Sequence, residues 1–110
     1  MAYNEELAAR VRQHLVPMGM VEERRMFGGL TFMLDGHMCC GIVGDRLMLR
    51  LSSESAAQVL KKSNTAPMDF TGKPMPGFVL VGPGGLESDA QLGGWIGLAR
   101  EFVASLPSRR

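Results

Sequence analysis

The sequence has 110 residues, 45% of them apolar, and its 12 basic side chains nearly balance 11 acidic ones, for a formal charge of +1. This length suits one domain with a single core, and the apolar content excludes a disordered chain. A dedicated nucleic-acid-binding protein usually carries a larger basic excess, so the charge disfavours that class. No run of about 18 apolar residues occurs, which excludes a membrane-spanning helix. We therefore predict one domain over residues 1–110.

The N-terminal residues and the cysteines indicate the compartment. Residues 1–6 are acidic and lack the apolar stretch of a signal peptide, so we expect a cytoplasmic protein. Cys39 and Cys40 are adjacent, and a disulfide between neighbouring strand residues would be strained. The pair is interpreted as two free, buried thiols in a reducing compartment, with a redox-sensing thiol as an alternative. Metal binding through His37 and both cysteines lacks a fourth ligand, so no metal or cofactor is predicted.

Three segments have the apolar spacing of amphipathic helices. The first follows Asn4, a suitable N-cap. Its buried stripe is predicted to comprise Leu7, Val11, Leu15 and Met18. A second, shorter helix is predicted after Ser52 or Ser53. The third follows a capping box formed by Ser88 and Gln91. Its predicted buried residues are Leu92, Trp95, Ile96, Ala99, Phe102, Val103 and Leu106.

Alternating apolar residues between tight turns predict an antiparallel sheet. Asp35-Gly36 and Gly44-Asp45 are typical hairpin-turn sequences. The predicted strands cover 30–34, 37–43, 46–51, a short segment at Phe70, and 78–81. The order is helix, three strands, helix, two strands, helix. It predicts a two-layer α+β domain with an antiparallel sheet and helices on one face.

Strand periodicity assigns side chains to the two faces of this sheet. In the third strand, Leu47, Leu49 and Leu51 point inward. In the second strand, regular alternation places Met38, Cys40 and Ile42 on one face and His37, Cys39 and Gly41 on the other. The outer face of the third strand is predicted to carry Arg46, Met48 and Arg50, with Thr31 and Met33 of the first strand on the same side.

This outer face is the predicted interaction site, because the helices of a two-layer domain cover one sheet face only. The predicted contact residues are Met33, Met48, Arg46 and Arg50. Nine methionines are many for this length, and methionine adapts to irregular partner surfaces. We predict a homodimer through this face and contacts with an unknown regulatory protein. Nucleic-acid binding through the two arginines, which lack interleaved aromatic residues, and small-molecule sensing are the alternatives.

Two short motifs contain glycines and prolines that constrain the backbone. The first is Arg25-Met26-Phe27-Gly28-Gly29. Its glycines precede a strand, whereas those of a phosphate loop precede a helix, so they indicate a bulge or a close backbone approach with Phe27 buried. The second is Gly72-Lys73-Pro74-Met75-Pro76, in which two prolines fix φ and form a stiff connector or a ligand for a peptide-recognition domain.

These two motifs, with Asp35-Gly36 and 45–50 between them, resemble the N-terminal domain of the TfoX family, whose founding members regulate natural competence. The resemblance extends over about Leu7 to Leu106 and implies the α+β arrangement predicted above, with structural roles for the motif residues. In the family this domain often precedes a second, C-terminal domain, whereas this sequence ends after the third predicted helix. The resemblance therefore implies a stand-alone regulatory or protein-interaction module related to competence and transcription.

Catalytic residues are not evident. Acid–base catalysis needs a histidine or paired carboxylates in a pocket, and neither His14 nor His37 has a partner nearby in the sequence. We therefore predict that the chain is not an enzyme. The third helix contains Gly93 and Gly97 on one stripe, and small residues at this spacing indicate the close approach of another backbone.

Overall fold

The computed structural model describes residues 3–107, except for the side chain of Phe70. The elements are α1 (Glu5–Leu15), β1 (Val21–Met26), β2 (Gly29–Leu34), β3 (His37–Val43), β4 (Arg46–Arg50), α2 (Ser53–Val59), β5 (Thr65–Phe70), β6 (Lys73–Val81) and α3 (Asp89–Ala104). Single 3-10 turns lie at Val16–Met18 and Pro83–Gly85. The strands form one six-stranded antiparallel sheet in the order β1-β2-β3-β4-β6-β5. The predicted α+β class and the helix–strands–helix–strands–helix order are confirmed.

The structure adds one strand to the predicted set. β1 pairs with β2 from Val21 to Met26 and lies at the edge of the sheet. Its sequence, VEERRM, has no apolar alternation, because four consecutive charged side chains occupy its centre. Charged residues are typical of exposed edge strands, where they discourage pairing with other chains. The apolar pattern therefore could not predict β1, which is recognised only from its backbone pairing with β2.

The helix starts follow the predicted capping residues. The side chain of Asn4 accepts a hydrogen bond from the backbone N–H of Leu7 at 2.9 Å. Ser52 caps α2 in the same way, and Ser88 with Gln91 forms the complete capping box at the start of α3. These side chains satisfy N–H groups that have no partner within the helix.

All three helices pack on the same face of the sheet and enclose the main core. This core contains Leu7, Ala8, Val11, Leu15, Leu30, Phe32, Leu34, Cys39, Cys40, Ile42, Leu47, Leu49, Leu51, Ala56, Val59, Val79, Val81, Leu86, Leu92, Ile96, Ala99 and Val103. Trp95, Phe102 and Leu106 of the predicted α3 stripe are half-buried instead of buried. Trp95 donates its indole N–H to the carbonyl oxygen of Gly85 at 2.9 Å, which holds the ring at the margin of the core.

A β-bulge in β3 changes which side chains face the helices. Phe32 pairs with Cys40 and the next residue, Met33, pairs with Met38, so Cys39 is an extra residue without a partner across the ladder. Both cysteines therefore lie in the main core, while Met38 lies on the opposite face. The predicted regular alternation of β3 is wrong for this reason.

The first glycine motif forms the β1–β2 hairpin. Phe27 and Gly28 have φ values of 57° and 74°, so together they form the two-residue turn. Gly29 is required for a different reason, since a Cβ at this position would overlap the carbonyl oxygen of Ile42. This close contact lets β3 approach the start of β2.

The second motif belongs to the β5–β6 hairpin and to the first half of β6. Thr71 and Gly72 form the turn with positive φ values of 52° and 80°. Lys73 and Pro74 pair with β5 on one side only, because β4 pairs with Phe78 to Val81. Prolines are tolerated where one side of a strand has no neighbour. Every peptide bond of the described residues is trans.

Candidate interaction surface

The sheet face opposite the helices carries a second, smaller apolar cluster. Its members are Phe27, Met38, Val43, Met48, Met68, Met75, Phe78 and Leu80. We define these residues as the methionine face, together with Met33, which pairs with Met38 across the β2–β3 ladder. No described helix covers these side chains, since the core residues of all three helices belong to the opposite face. The methionine face is therefore closed only by residues of the sheet and its turns.

The register of the strands brings this face together. Thr31, Gly41 and Met48 are neighbours across β2, β3 and β4, and Leu80 of β6 continues the row. Cross-strand partners share a face of the sheet. Gly41 leaves room for its neighbour, because a Cβ there would lie 3.1 Å from the terminal methyl of Met48.

The face has a buried floor and a half-exposed upper layer. Met48, Met68 and Leu80 are only 1%, 4% and 6% exposed. The rings of Phe27 and Phe78 pack against this floor and meet edge to face, with centroids 6.5 Å apart. The accessible apolar groups are the half-buried side chains of Met33, Met38, Val43 and Met75. Of the two methionines predicted to make contacts, Met33 is accessible and Met48 supports the layer above it.

Two basic side chains lie beside the methionine face. Arg46 lies opposite Val43 across the β3–β4 ladder and is exposed. Lys73 lies two positions before Met75 on β6 and therefore points to the same side. Neither Arg46 nor Lys73 forms an ion pair within residues 3–107. Their charges give this face an uncompensated positive rim.

Two other arginines near the face already have partners. Arg24 of β1 lies 3.5 Å from Glu22. Arg50 donates a hydrogen bond to the carbonyl oxygen of Met38 at 3.3 Å, and its guanidinium carbon lies 5.3 Å from the ring centroid of Phe102. Arg50 is thus held at the end of the sheet, where it joins β3 to α3.

The cysteines contact each other within the main core. A hydrogen bond between the thiols, together with burial, raises the pKa of Cys40 well above its ordinary value. The same hydrogen bond lowers the pKa of Cys39, assisted by the positive charge of Arg50. Both residues are free thiols and 0% exposed, so neither is accessible to a redox partner in this conformation.

The glycines of α3 have different surroundings. A Cβ on Gly93 would lie 3.1 Å from the ring of His14, so this glycine permits tight packing of α1 on α3. Gly94 and Gly97 have no atom within 4 Å of such a Cβ. The close approach indicated by the sequence thus occurs inside the domain at Gly93 only.

Chemical groups for other functions are sparse in the described part of the chain. Within residues 3–107, no group of three or more His, Cys, Asp or Glu side chains could hold a metal ion. None of the helices in the same range combines the length and apolar character needed to cross a bilayer. The methionine face is therefore the most developed surface feature of these residues.

Comparison with known proteins identifies the family. The TfoX N-terminal domain profile matches residues 13–103, which include both glycine motifs and the whole sheet. None of the curated proteins matches the sequence. Because the matched region is most of the chain, the protein belongs to the TfoX N-terminal domain family.

Proposed function

We propose that this chain is a non-enzymatic, cytoplasmic interaction module that binds a regulatory protein through the methionine face. Its occupant is an apolar segment flanked by acidic side chains. The proposal depends on the layer of half-exposed methionines on the sheet face that no described helix covers. Arg46 and Lys73, which have no ion-pair partner among the described residues, lie beside this layer. The role of founding family members supports a connection to competence or transcription. The two free thiols fit a reducing compartment.

The methionine layer suits a protein partner because its side chains are flexible and polarisable. Met33, Met38 and Met75 can change rotamer to follow a partner surface. The buried floor below them, centred on Met48, keeps the backbone in place while the upper layer adapts. The buried residues therefore keep one arrangement, whereas the accessible methionines can adjust their contacts.

The charge of the rim selects the chemistry of the occupant. Acidic groups on a partner would pair with Arg46 and Lys73, and such complementarity increases association rates and specificity. A two-fold homodimer would place the same patch against itself and bring these positive charges together. The acidic partner is therefore favoured, and the homodimer expected from the sequence stays a prediction. Nucleic acid would also match the charge, but phosphates make no use of the methionine layer.

Site-specific photo-crosslinking tests the proposal. A photoreactive amino acid is placed at Met33 in the full chain, and a matched control carries it at Met20, which is 79% exposed and outside the methionine face. We expect position 33, and not position 20, to crosslink to a protein segment that mass spectrometry identifies as apolar with flanking Asp or Glu. Arg46→Glu should abolish this product.

Three results would overturn the proposal. Crosslinks from position 33 to a second copy of the chain would establish the homodimer as the occupant. Crosslinks to nucleic acid would replace a protein partner with a phosphate backbone. Equal products at positions 33 and 20 would show that the methionine face has no special affinity.

A further inference from the structure

A cavity of about 330 Å³ lies on the helix side of the sheet, between the β2–β3 turn and the C-terminal end of α3. Its volume falls at the lower end of small-molecule sites, which measure roughly 300–1,000 Å³. Asp35, His37 and Arg100 supply polar groups to the lining, and Leu34, Val103 and Leu106 supply apolar ones. The cavity is separate from the methionine face.

A hydrogen bond holds the ring of His37 in the wall of the cavity. The side chain is 8% exposed, and Nε2 lies 2.6 Å from the carbonyl oxygen of Pro107. A carbonyl only accepts hydrogen bonds, so Nε2 is the donor of this pair. No hydrogen bond to Nδ1 occurs within the described residues.

Opposite charges line the cavity without pairing to each other. Oδ1 of Asp35 accepts a hydrogen bond from the backbone N–H of Met20 at 2.9 Å, and no other hydrogen bond or ion pair of that carboxylate occurs within residues 3–107. Arg100 is exposed and forms no ion pair or hydrogen bond within the same residues. Val103 belongs to the last turn of α3 and Leu106 follows the helix, at the end where the helix dipole adds negative potential.

We propose that this cavity binds a free aliphatic α-amino acid as a zwitterion. The ammonium group interacts with the carboxylate of Asp35. The carboxylate interacts with the guanidinium of Arg100. The aliphatic side chain packs against Leu34, Val103 and Leu106.

The charge pattern distinguishes the zwitterion from simpler ligands. A plain carboxylate would pair with Arg100 but face the negative charge of Asp35. A plain amine would pair with Asp35 but make no use of the guanidinium of Arg100. A ligand that carries both charged groups on one carbon atom, together with a short apolar group, can contact all three parts of the lining.

Isothermal titration calorimetry with the full chain tests this site. The probes are L-leucine, leucinamide, which lacks the carboxylate, and 4-methylpentanoate, which lacks the amine. We expect leucine to bind at least about tenfold more tightly than either analogue, because each charge-assisted hydrogen bond is lost separately. This experiment does not involve the methionine face, so its result is independent of the proposed function.

Two variants keep the fold and remove one charge each. Arg100→Gln alters an exposed side chain and should weaken leucine binding about tenfold while removing the preference over leucinamide. Asp35→Asn retains the oxygen that accepts from Met20 and tolerates the positive φ of 51° at this turn. It should weaken leucine binding by a similar factor. Arg46→Gln, on the other face, is the control and should leave binding unchanged.

The proposal is overturned if leucine produces no binding heat at millimolar concentration. Equal affinity for leucine and its two analogues would also overturn it, as would unchanged leucine binding in both Arg100→Gln and Asp35→Asn. Thermal melting of each variant, matched to the parent chain, confirms that the folded protein is being measured.

Discussion

The two faces of the sheet differ in what closes them. On one face, three helices cover a core dominated by aliphatic side chains, and on the other, methionines and phenylalanines are covered only by one another. Leu49 and Met48 are neighbours on β4 and point to opposite faces, yet both are at most 1% exposed. Burial alone therefore does not distinguish a closed core from a surface that can accept a partner.

The comparison shows how a small domain can use its second sheet face. Helices hold the first face in one arrangement, because a tightly packed interior resists change. The second face has flexible side chains and an open upper side, so it can rearrange at a lower free-energy cost. The basic residues Arg46 and Lys73 lie beside this adaptable layer.

The largest difference in stability between the two faces is expected when neighbouring side chains of β4 are truncated. Leu49→Ala should lower the free energy of unfolding by about 3–5 kcal/mol, because helices and sheet surround the cavity that it leaves. Met48→Ala should cost closer to about 2 kcal/mol, since the adjacent methionines can fill the space. Urea denaturation measures both values. An equal or larger cost for Met48→Ala would contradict the view that the methionine face is adaptable.

Adjacent glycines of the β1–β2 hairpin provide a second comparison. Gly29→Ala should destabilise the fold by about 2–3 kcal/mol, because the new methyl group overlaps the carbonyl oxygen of Ile42 and β3 must move. Gly28→Ala should lower the free energy of unfolding by only about 1 kcal/mol. The new methyl group would face open space, so the positive φ at this position is the only source of strain. Thermal unfolding of the two variants checks the order, and the reverse order would contradict the close strand approach.

An ion pair between α1 and β1 should make a small, pH-dependent contribution to the free energy of unfolding. Arg12 of α1 bonds Glu23 of β1, with Nη2 and Oε1 2.9 Å apart, and this hydrogen bond lowers the pKa of Glu23. A lowered carboxylate pKa stabilises the fold above the pKa of the unfolded chain, and this stabilisation is lost as pH falls through the folded value.

Glu23→Gln should therefore cost less than about 1 kcal/mol at neutral pH, because the pair is solvent-exposed. The difference from the parent chain should shrink as pH falls below the ordinary carboxylate pKa and disappear once Glu23 is protonated in the folded chain. Denaturation curves at several pH values test this, and a difference that persists in acid would show that the ion pair is not its cause.

The smallest effect on stability is expected at the rim of the methionine face. Arg46→Glu changes an exposed side chain without an ion-pair partner in the described residues, so the free energy of unfolding should change by less than about 0.5 kcal/mol. Binding of an acidic partner should nevertheless be lost. A large loss of stability would mean that Arg46 supports the fold instead of the interaction.

Local features of the fold were predictable from the sequence. Asn4, Ser88 and the Asp35-Gly36 turn act through contacts within a few residues, and the structure has them as predicted. The bulge at Cys39 was not predictable, because it depends on how β3 pairs with β2. The sequence of β1 gave no apolar signal, since its side chains protect an exposed edge.

The candidate sites were only partly predictable, because they depend on contacts between residues that are distant in the sequence. Periodicity placed Met33 and Met48 on one face, but it could not show that Met48 is buried. The contact between Phe27 and Phe78 joins opposite parts of the sheet and has no local signal. Likewise, Arg100 is near Asp35 and His37 only because α3 returns to the β2–β3 turn.

Methionine-methyl NMR would test the central claim most directly. The chain, labelled at its methionine methyl groups, is titrated with an amphipathic peptide carrying glutamates and with a matched peptide carrying lysines. We expect the acidic peptide to shift the signals of Met33, Met38 and Met75 but not that of Met20, and the basic peptide to bind at least about tenfold more weakly. No shift with the acidic peptide, or equal shifts with both, would contradict the claim.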